Sequence, residues 1–210
     1  MSFQKTIFVL FMVILLMGVV ACSDQEMTES QVTTEVTSKD CDFEKPLIIS
    51  HTDLDKLIAT YFTLKHRVEM CGEATAYVHG LGGSGVDAQG FFDLMRSDVI
   101  YKQVTFIAVG STWSASNRIW LAAAHRIVTP AHLYILHGTK WNMDDEDPET
   151  RLWFKQAFLE KSMDAIGYAT GEEATQMWYE VVTNKREGFV LTAQEAVRIG
   201  WATEIREYIP

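Results

Sequence analysis

The chain has 210 residues, with 18 basic against 28 acidic side chains and a formal charge of −10. That balance argues against a nucleic-acid-binding surface, which needs clustered Lys and Arg to meet phosphates. With 48% of its residues hydrophobic, the chain can fill one sizeable core, and its length suits a single domain with short appendages.

Lys5 is followed by an unbroken apolar run from Ile7 to Leu16, then by small residues at Gly18 and Ala21, the order of a secretory signal. The run to Val20 is short for a membrane span, which needs roughly 20 apolar residues. Its end, VVAC, resembles a bacterial lipoprotein signal, in which cleavage before the cysteine leaves it as a lipid-carrying N-terminus. On that resemblance residues 1–21 are a signal peptide, Cys22 is the lipidation site, and the mature protein is held by lipid at a membrane of the cell envelope, facing away from the cytoplasm. A plain signal peptide or a short anchor is the competing reading. Loss of Lys5 with the signal takes the charge from −10 to −11. SDQEMTESQVTTEVTSKD (23–40) is acidic and lacks aromatic residues, so it cannot bury enough surface to fold. Residues 22–45 are read as a tether, and 46–210 as the folded domain. In an oxidising compartment Cys41 and Cys71 are a candidate disulfide.

Within 46–210, strand-like apolar runs alternate with helix-period segments. PLIIS (46–50) reads as a strand. DLDKLIATYFTLKHRVE (53–69) reads as a helix with Leu54, Leu57, Ile58, Tyr61 and Leu64 on one face. TAYV (75–78) is a strand, a glycine-rich turn HGLGGSG leads to a helix over Ala88–Arg96, and VTFIAV (104–109) is a strand covered on both faces. SASNRIWLAAAHR (114–126) reads as a buried helix and HLYILH (132–137) as a strand. Asp147 and Pro148 mark the start of a long helix. Thr170 with Glu173 and Thr192 with Glu195 have capping-box spacing, and RIGWATEI ends a helix at Gly200 before a short strand. Strand and helix alternate, so the class is α/β.

Two strand-to-helix turns stand out, GLGGSG after Val78 and GSTWSAS after Val109. In neighbouring parallel strands they fall at one edge of the sheet, where α/β proteins carry their sites. Glycines at 82 and 83 let the backbone approach a ligand and aim N–H groups at it. Neither a Walker A loop nor a dinucleotide fingerprint fits, and neither zinc nor calcium spacing appears. No cofactor and no metal are expected. DDED (144–147) reads as a solvated loop with an N-cap, and Trp153, Phe154, Phe158 and Met163 as the packing face of the long helix.

GLGGSG, VGSTWSAS, HLYILHG and FVLTAQEAVRIGWATEI follow one another with similar spacing to the motifs of the Clp peptidase family, the proteolytic subunit of Clp proteases, and the chain resembles that family over most of Pro46–Ile209. The resemblance implies the Clp/crotonase-like superhelix of β-β-α repeats with a helical insertion. It makes Ser114 the nucleophile, four residues after Gly110, and His137 the base. Gly83 and Ala115 would supply the oxyanion N–H groups, and a third residue would orient His137. There the pattern departs, because no Asp stands in place: Glu187 is favoured, with Asn184 the alternative. Ser111 and Ser116 fall off the matching position and read as turn and helix-surface residues, His125 and His132 as connection or surface residues, and His79 as a residue near the cleft. The resemblance further implies a homo-oligomer, built partly through the insertion, that cleaves peptides or unfolded proteins; an exported chain has no cytoplasmic ATP-driven unfoldase to feed it. Two other functions remain open: a catalytically silent lipoprotein that uses the fold for binding or assembly, and a crotonase-like acyl-CoA enzyme.

Overall fold

A parallel sheet carries the molecule, and one strand within it changes partner halfway along. The computed structural model describes Cys41 and residues 45–138, 146–183 and 188–207; Cys22, Asn184 and Glu187 lie outside them. In chain order the elements are β1 (Leu47–Ile49), α1 (Leu54–Cys71), β2 (Ala74–Gly80), α2 (Gly85–Ser97), a 3-10 turn (Val99–Gln103), β3 (Val104–Trp113), α3 (Ser116–Trp120), β4 (His125–Val128), β5 (Leu133–Leu136), α4 (Pro148–Thr170), α5 (Glu172–Thr183), β6 (Phe189–Thr192), α6 (Ala193–Arg198) and β7 (Glu204–Ile205). The sheet runs β1-β2-β3-β4-β7, with β5 also on β3 and β6 on β5. All pairs are parallel except β5 with β6.

β3 pairs with β4 through Thr105–Ile107 and with β5 through Ser111–Trp113. Between these stretches the register with β2 slips: Val78 faces Ala108, but Gly80 faces Thr112. Gly110 sits in the slip at φ 74, where a side chain would also press on His79. A bulge of this kind bends a strand, and here it turns the second half of β3 onto β5. The strand therefore runs on through GSTW, past its expected end at Val109.

Local chemistry sets the helix ends. Asp53 caps α1 by accepting from Lys56 N–H (3.2 Å), and Gly72 closes it at φ 79. Ser84 caps α2 and Asp147 caps α4 ahead of Pro148. Thr192 and Glu195 form a reciprocal capping box on α6. Thr170 does not cap: it is the last residue of α4, and its hydroxyl donates back to the Ile166 carbonyl at 2.7 Å. Cys41 and Cys71 are joined by a disulfide, with Cα atoms 5.6 Å apart, fixing the chain before β1 to the end of α1.

The core is built on Trp120, Trp201, Tyr134, Phe91 and Phe106, each fully buried. It differs from the sequence expectation in three places. The long helix expected over 114–126 is only the five residues of α3, and the chain then turns into a fourth strand, because Arg126 is pulled inward. Its guanidinium, 3% exposed, donates to the carbonyls of Ala123, Ala169, Gly200 and Trp201. On α1, Leu54 and Ile58 stand outside the buried stripe, which is Leu57, Thr60, Tyr61, Leu64 and Val68. On α4, Trp153 is 68% exposed, and only Ser162, Ala165 and Ile166 are buried. Among the described residues no helix is long and apolar enough to cross a membrane.

Candidate active site

Ser114 follows the last residue of β3. Its N–H donates to the Ile135 carbonyl of β5 at 2.9 Å, so the end of the sheet holds it. Its φ of 50 makes it the one non-glycine residue in the left-handed region among the described residues, a conformation that costs about 1–2 kcal/mol and persists only where neighbours impose it. Asn117, buried on α3, imposes it from the other side. Its side-chain amide donates to the carbonyls of Ile135 (3.0 Å), Ser114 (3.2 Å) and Thr112 (3.4 Å).

The glycine turn lies against Ser114. A Cβ on Gly82 would stand 2.6 Å from the Ser114 Cβ, and one on Gly83 would stand 2.0 Å from the Thr52 hydroxyl. Both glycines have positive φ, 97 and 142, so close approach and backbone conformation each demand glycine there. Two hydroxyls pin the turn. Ser116 accepts from Gly82 N–H at 3.2 Å, and Thr52 accepts from Ser84 N–H at 3.1 Å. Among the described residues the N–H groups of Gly83 and Ala115 have no acceptor. Both residues line the same cavity as Ser114 and His137, which has a volume of 320 Å³. Because α3 is so short, these two local N–H groups, rather than the dipole of a long helix, would face a negative charge at this spot.

His137 follows β5. Its Nδ1 is 2.7 Å from the Gly138 carbonyl. A carbonyl can only accept, so Nδ1 carries the proton and Nε2 is left as the basic nitrogen.

Several expectations need correction. Ser116 is not a helix-surface residue: it is 3% exposed and holds the glycine turn. Ser111 belongs to β3 rather than to a turn. His132 is not at the surface: at 1% exposure its Nε2 meets the Thr112 hydroxyl at 3.0 Å, and burial pushes its pKa down to about 4. His125 is exposed but lies in β4. His79 is exposed on β2 and is not among the residues lining the cavity. Thr52, Asn117 and Arg118 were not singled out from sequence. Only the last two left a trace there, as polar residues in a segment otherwise packed with Ile119, Trp120 and Leu121.

No family model matches the chain, and no curated protein matches it. Among solved structures the chain is similar to a point mutant of ClpP1 from Listeria monocytogenes. The TM-score is 0.64 at 21% identity, over 82% of this chain and 96% of that one. The fold is therefore that of the Clp peptidases, a mixed α/β sheet with covering helices.

Proposed function

We propose that the protein is a Clp-type serine peptidase. Ser114 Oγ attacks a peptide carbonyl carbon while His137 Nε2 takes its proton. The oxygen of that carbonyl, now negative, is held by Gly83 and Ala115 N–H. Collapse breaks the C–N bond, His137 returns the proton to the departing amine, and water then releases the acyl group from Ser114 by the same steps. The observation that carries this reading is the convergence of Ser114, His137, Gly83 and Ala115 on one cavity, with both N–H groups unspent.

Glu187, or else Asn184, is the proposed third member. Phe189 pairs with Leu136, the residue before His137, and Glu187 is separated from Phe189 only by Gly188, which supports Glu187. Meanwhile the Gly138 carbonyl already serves the tautomer-fixing part of that role. Cys22 as a lipidated N-terminus, an extracytoplasmic location and a homo-oligomer acting on short or unfolded peptides complete the proposal.

The test is a fluorophosphonate probe on the purified mature protein. Labelling is expected, lost in Ser114→Ala and kept in Ser111→Ala. A folded chain that takes up no label would end the reading. Ser116→Ala is not a neutral control, since it unpins Gly82.

A further inference from the structure

Among the described residues two arginines are buried, and they are used differently. Arg126 spreads its donors over four backbone carbonyls, as a structural cation does. Arg118, 7% exposed, gives one N–H to the Ser162 carbonyl at 2.9 Å and lays its guanidinium 5.4 Å from the centre of the Trp178 ring. Among the described residues no carboxylate forms an ion pair with it; the ion pairs there are Lys65–Asp98, Arg198–Glu173 and Arg206–Glu204. Asp93, whose carboxylate takes the Gln89 amide, acts on it through its field alone. Guanidinium N–H groups are thus left over, and Arg118 lines the same 320 Å³ cavity as Ser114, four residues further along the chain.

We propose that Arg118 makes this cavity a receptor for a substrate carboxylate, so that the enzyme selects peptides presenting an acidic side chain or a free terminal carboxylate beside the bond Ser114 attacks. The inference rests on the peptidase reading of Ser114. Beside the polar Ser114, Asn117 and His137, the cavity walls include Leu121, Leu136, Ile166 and Trp201, all nearly fully buried. In such surroundings water screens little, and a planar, forked cation binds a carboxylate far more strongly than at a surface. Ser162 on one edge and Trp178 on one face hold the guanidinium in place before any ligand arrives, so little ordering entropy is lost on binding. The reverse holds for a neutral apolar side chain, which would cover a buried cation and give it no partner. The volume lies at the small end of the usual range for ligand pockets, about 300–1,000 Å³, suited to one side chain or one chain terminus.

The experiment compares quenched fluorescent peptides that differ only at the residue before the scissile bond, as Glu, Gln or Leu, together with a pair in which the residue after that bond ends the peptide as a free acid or an amide. The expected kcat/KM favours the carboxylate-bearing member by about 10- to 100-fold. Preference for Glu over Gln assigns the side chain, and preference for acid over amide assigns the terminus. Equal cleavage across both sets overturns the inference. Arg118→Met should erase the preference and Arg118→Lys should keep part of it; a Met variant that retains it overturns the assignment to Arg118. Should the Met variant fail to fold, the decision falls to Ser114→Ala, titrated with the Glu and Gln peptides by the fluorescence of Trp178 and Trp201. Tighter binding of Glu supports the proposal, and equal binding sinks it. Because this titration needs no catalysis, it also separates the two ideas. Labelled Ser114 with indifferent binding removes only the carboxylate site, whereas an unlabelled but carboxylate-selective chain removes only the peptidase.

Discussion

Around Ser114, the Ser114 N–H, the Asn117 amide and the Ser116 and Thr52 hydroxyls are each bound to a neighbouring element. Along α4, by contrast, no residue before Ser162 is buried, and Leu152 and Trp153 stand 67% and 68% exposed. The sheet edge is fixed by polar atoms on several elements at once, while the first half of α4 presents large apolar side chains to whatever lies beyond this chain. One region fixes atoms by hydrogen bonds; the other offers area. Exposed aromatic surface of that kind is characteristic of an association face, in keeping with the proposed homo-oligomer.

The contrast can be broken from either side. The largest effect is expected at the glycine turn. Gly83→Ala drives a Cβ into the Thr52 hydroxyl, displacing one proposed oxyanion donor, and labelling of Ser114 should slow by about 10²–10³-fold, measured as probe incorporation against time with unfolding followed in parallel. A normal labelling rate would mean that Gly83 N–H is no part of the site. Next comes the His132–Thr112 contact beneath the turn. Burial, with the nearby His79 charge adding to it, lowers the His132 pKa from 6.5 to about 4, so the folded state favours the neutral ring. Its contribution is complete above about pH 6.5 and is lost as pH falls toward 4, on the order of 2–3 kcal/mol. Urea unfolding of wild type across that interval should show the loss, and His132→Gln should flatten it. The smallest effect on folding belongs to Trp153→Ser, which should change unfolding free energy by less than about 0.5 kcal/mol. In sedimentation, however, the same variant should shift assembled species toward smaller ones. Unchanged assembly would clear that face of any role in association.

The sequence was most informative where a local rule and a global pattern coincide. The capped starts at Asp147 and Thr192, the apolar β3 run and the order of the two turns all needed only nearest-neighbour chemistry, and the structure places strands and helices there. It was least informative where a polar side chain decides the packing. Arg126 read as the last residue of a buried helix because nothing in AAAHRIVTP (122–130) shows that four carbonyls from distant segments await it. Ser116 and His132 looked exposed for the same reason: their partners, Gly82 and Thr112, are remote in sequence or on another strand. Trp153 failed in the opposite direction, since helical spacing of aromatic residues reveals that a face exists but not whether this same chain covers it. Ser114, Gly83, Ala115 and His137 were singled out through motif order, and the four line one cavity. Arg118 and Thr52 belong to no motif and became visible only through burial and contact.

The Ile135 carbonyl receives both the Ser114 N–H and the Asn117 amide, and the strand that carries it leads directly into His137. The proposed nucleophile and base are thus mounted on one rigid frame, with their spacing set by strand register rather than by loops. Such a frame has no soft joint between its two working parts. A device that turned this site on or off would have to act from outside the sheet, on the glycine turn or on the α4 side chain Phe158 that shares the cavity, because separating Ser114 from His137 means breaking the sheet itself.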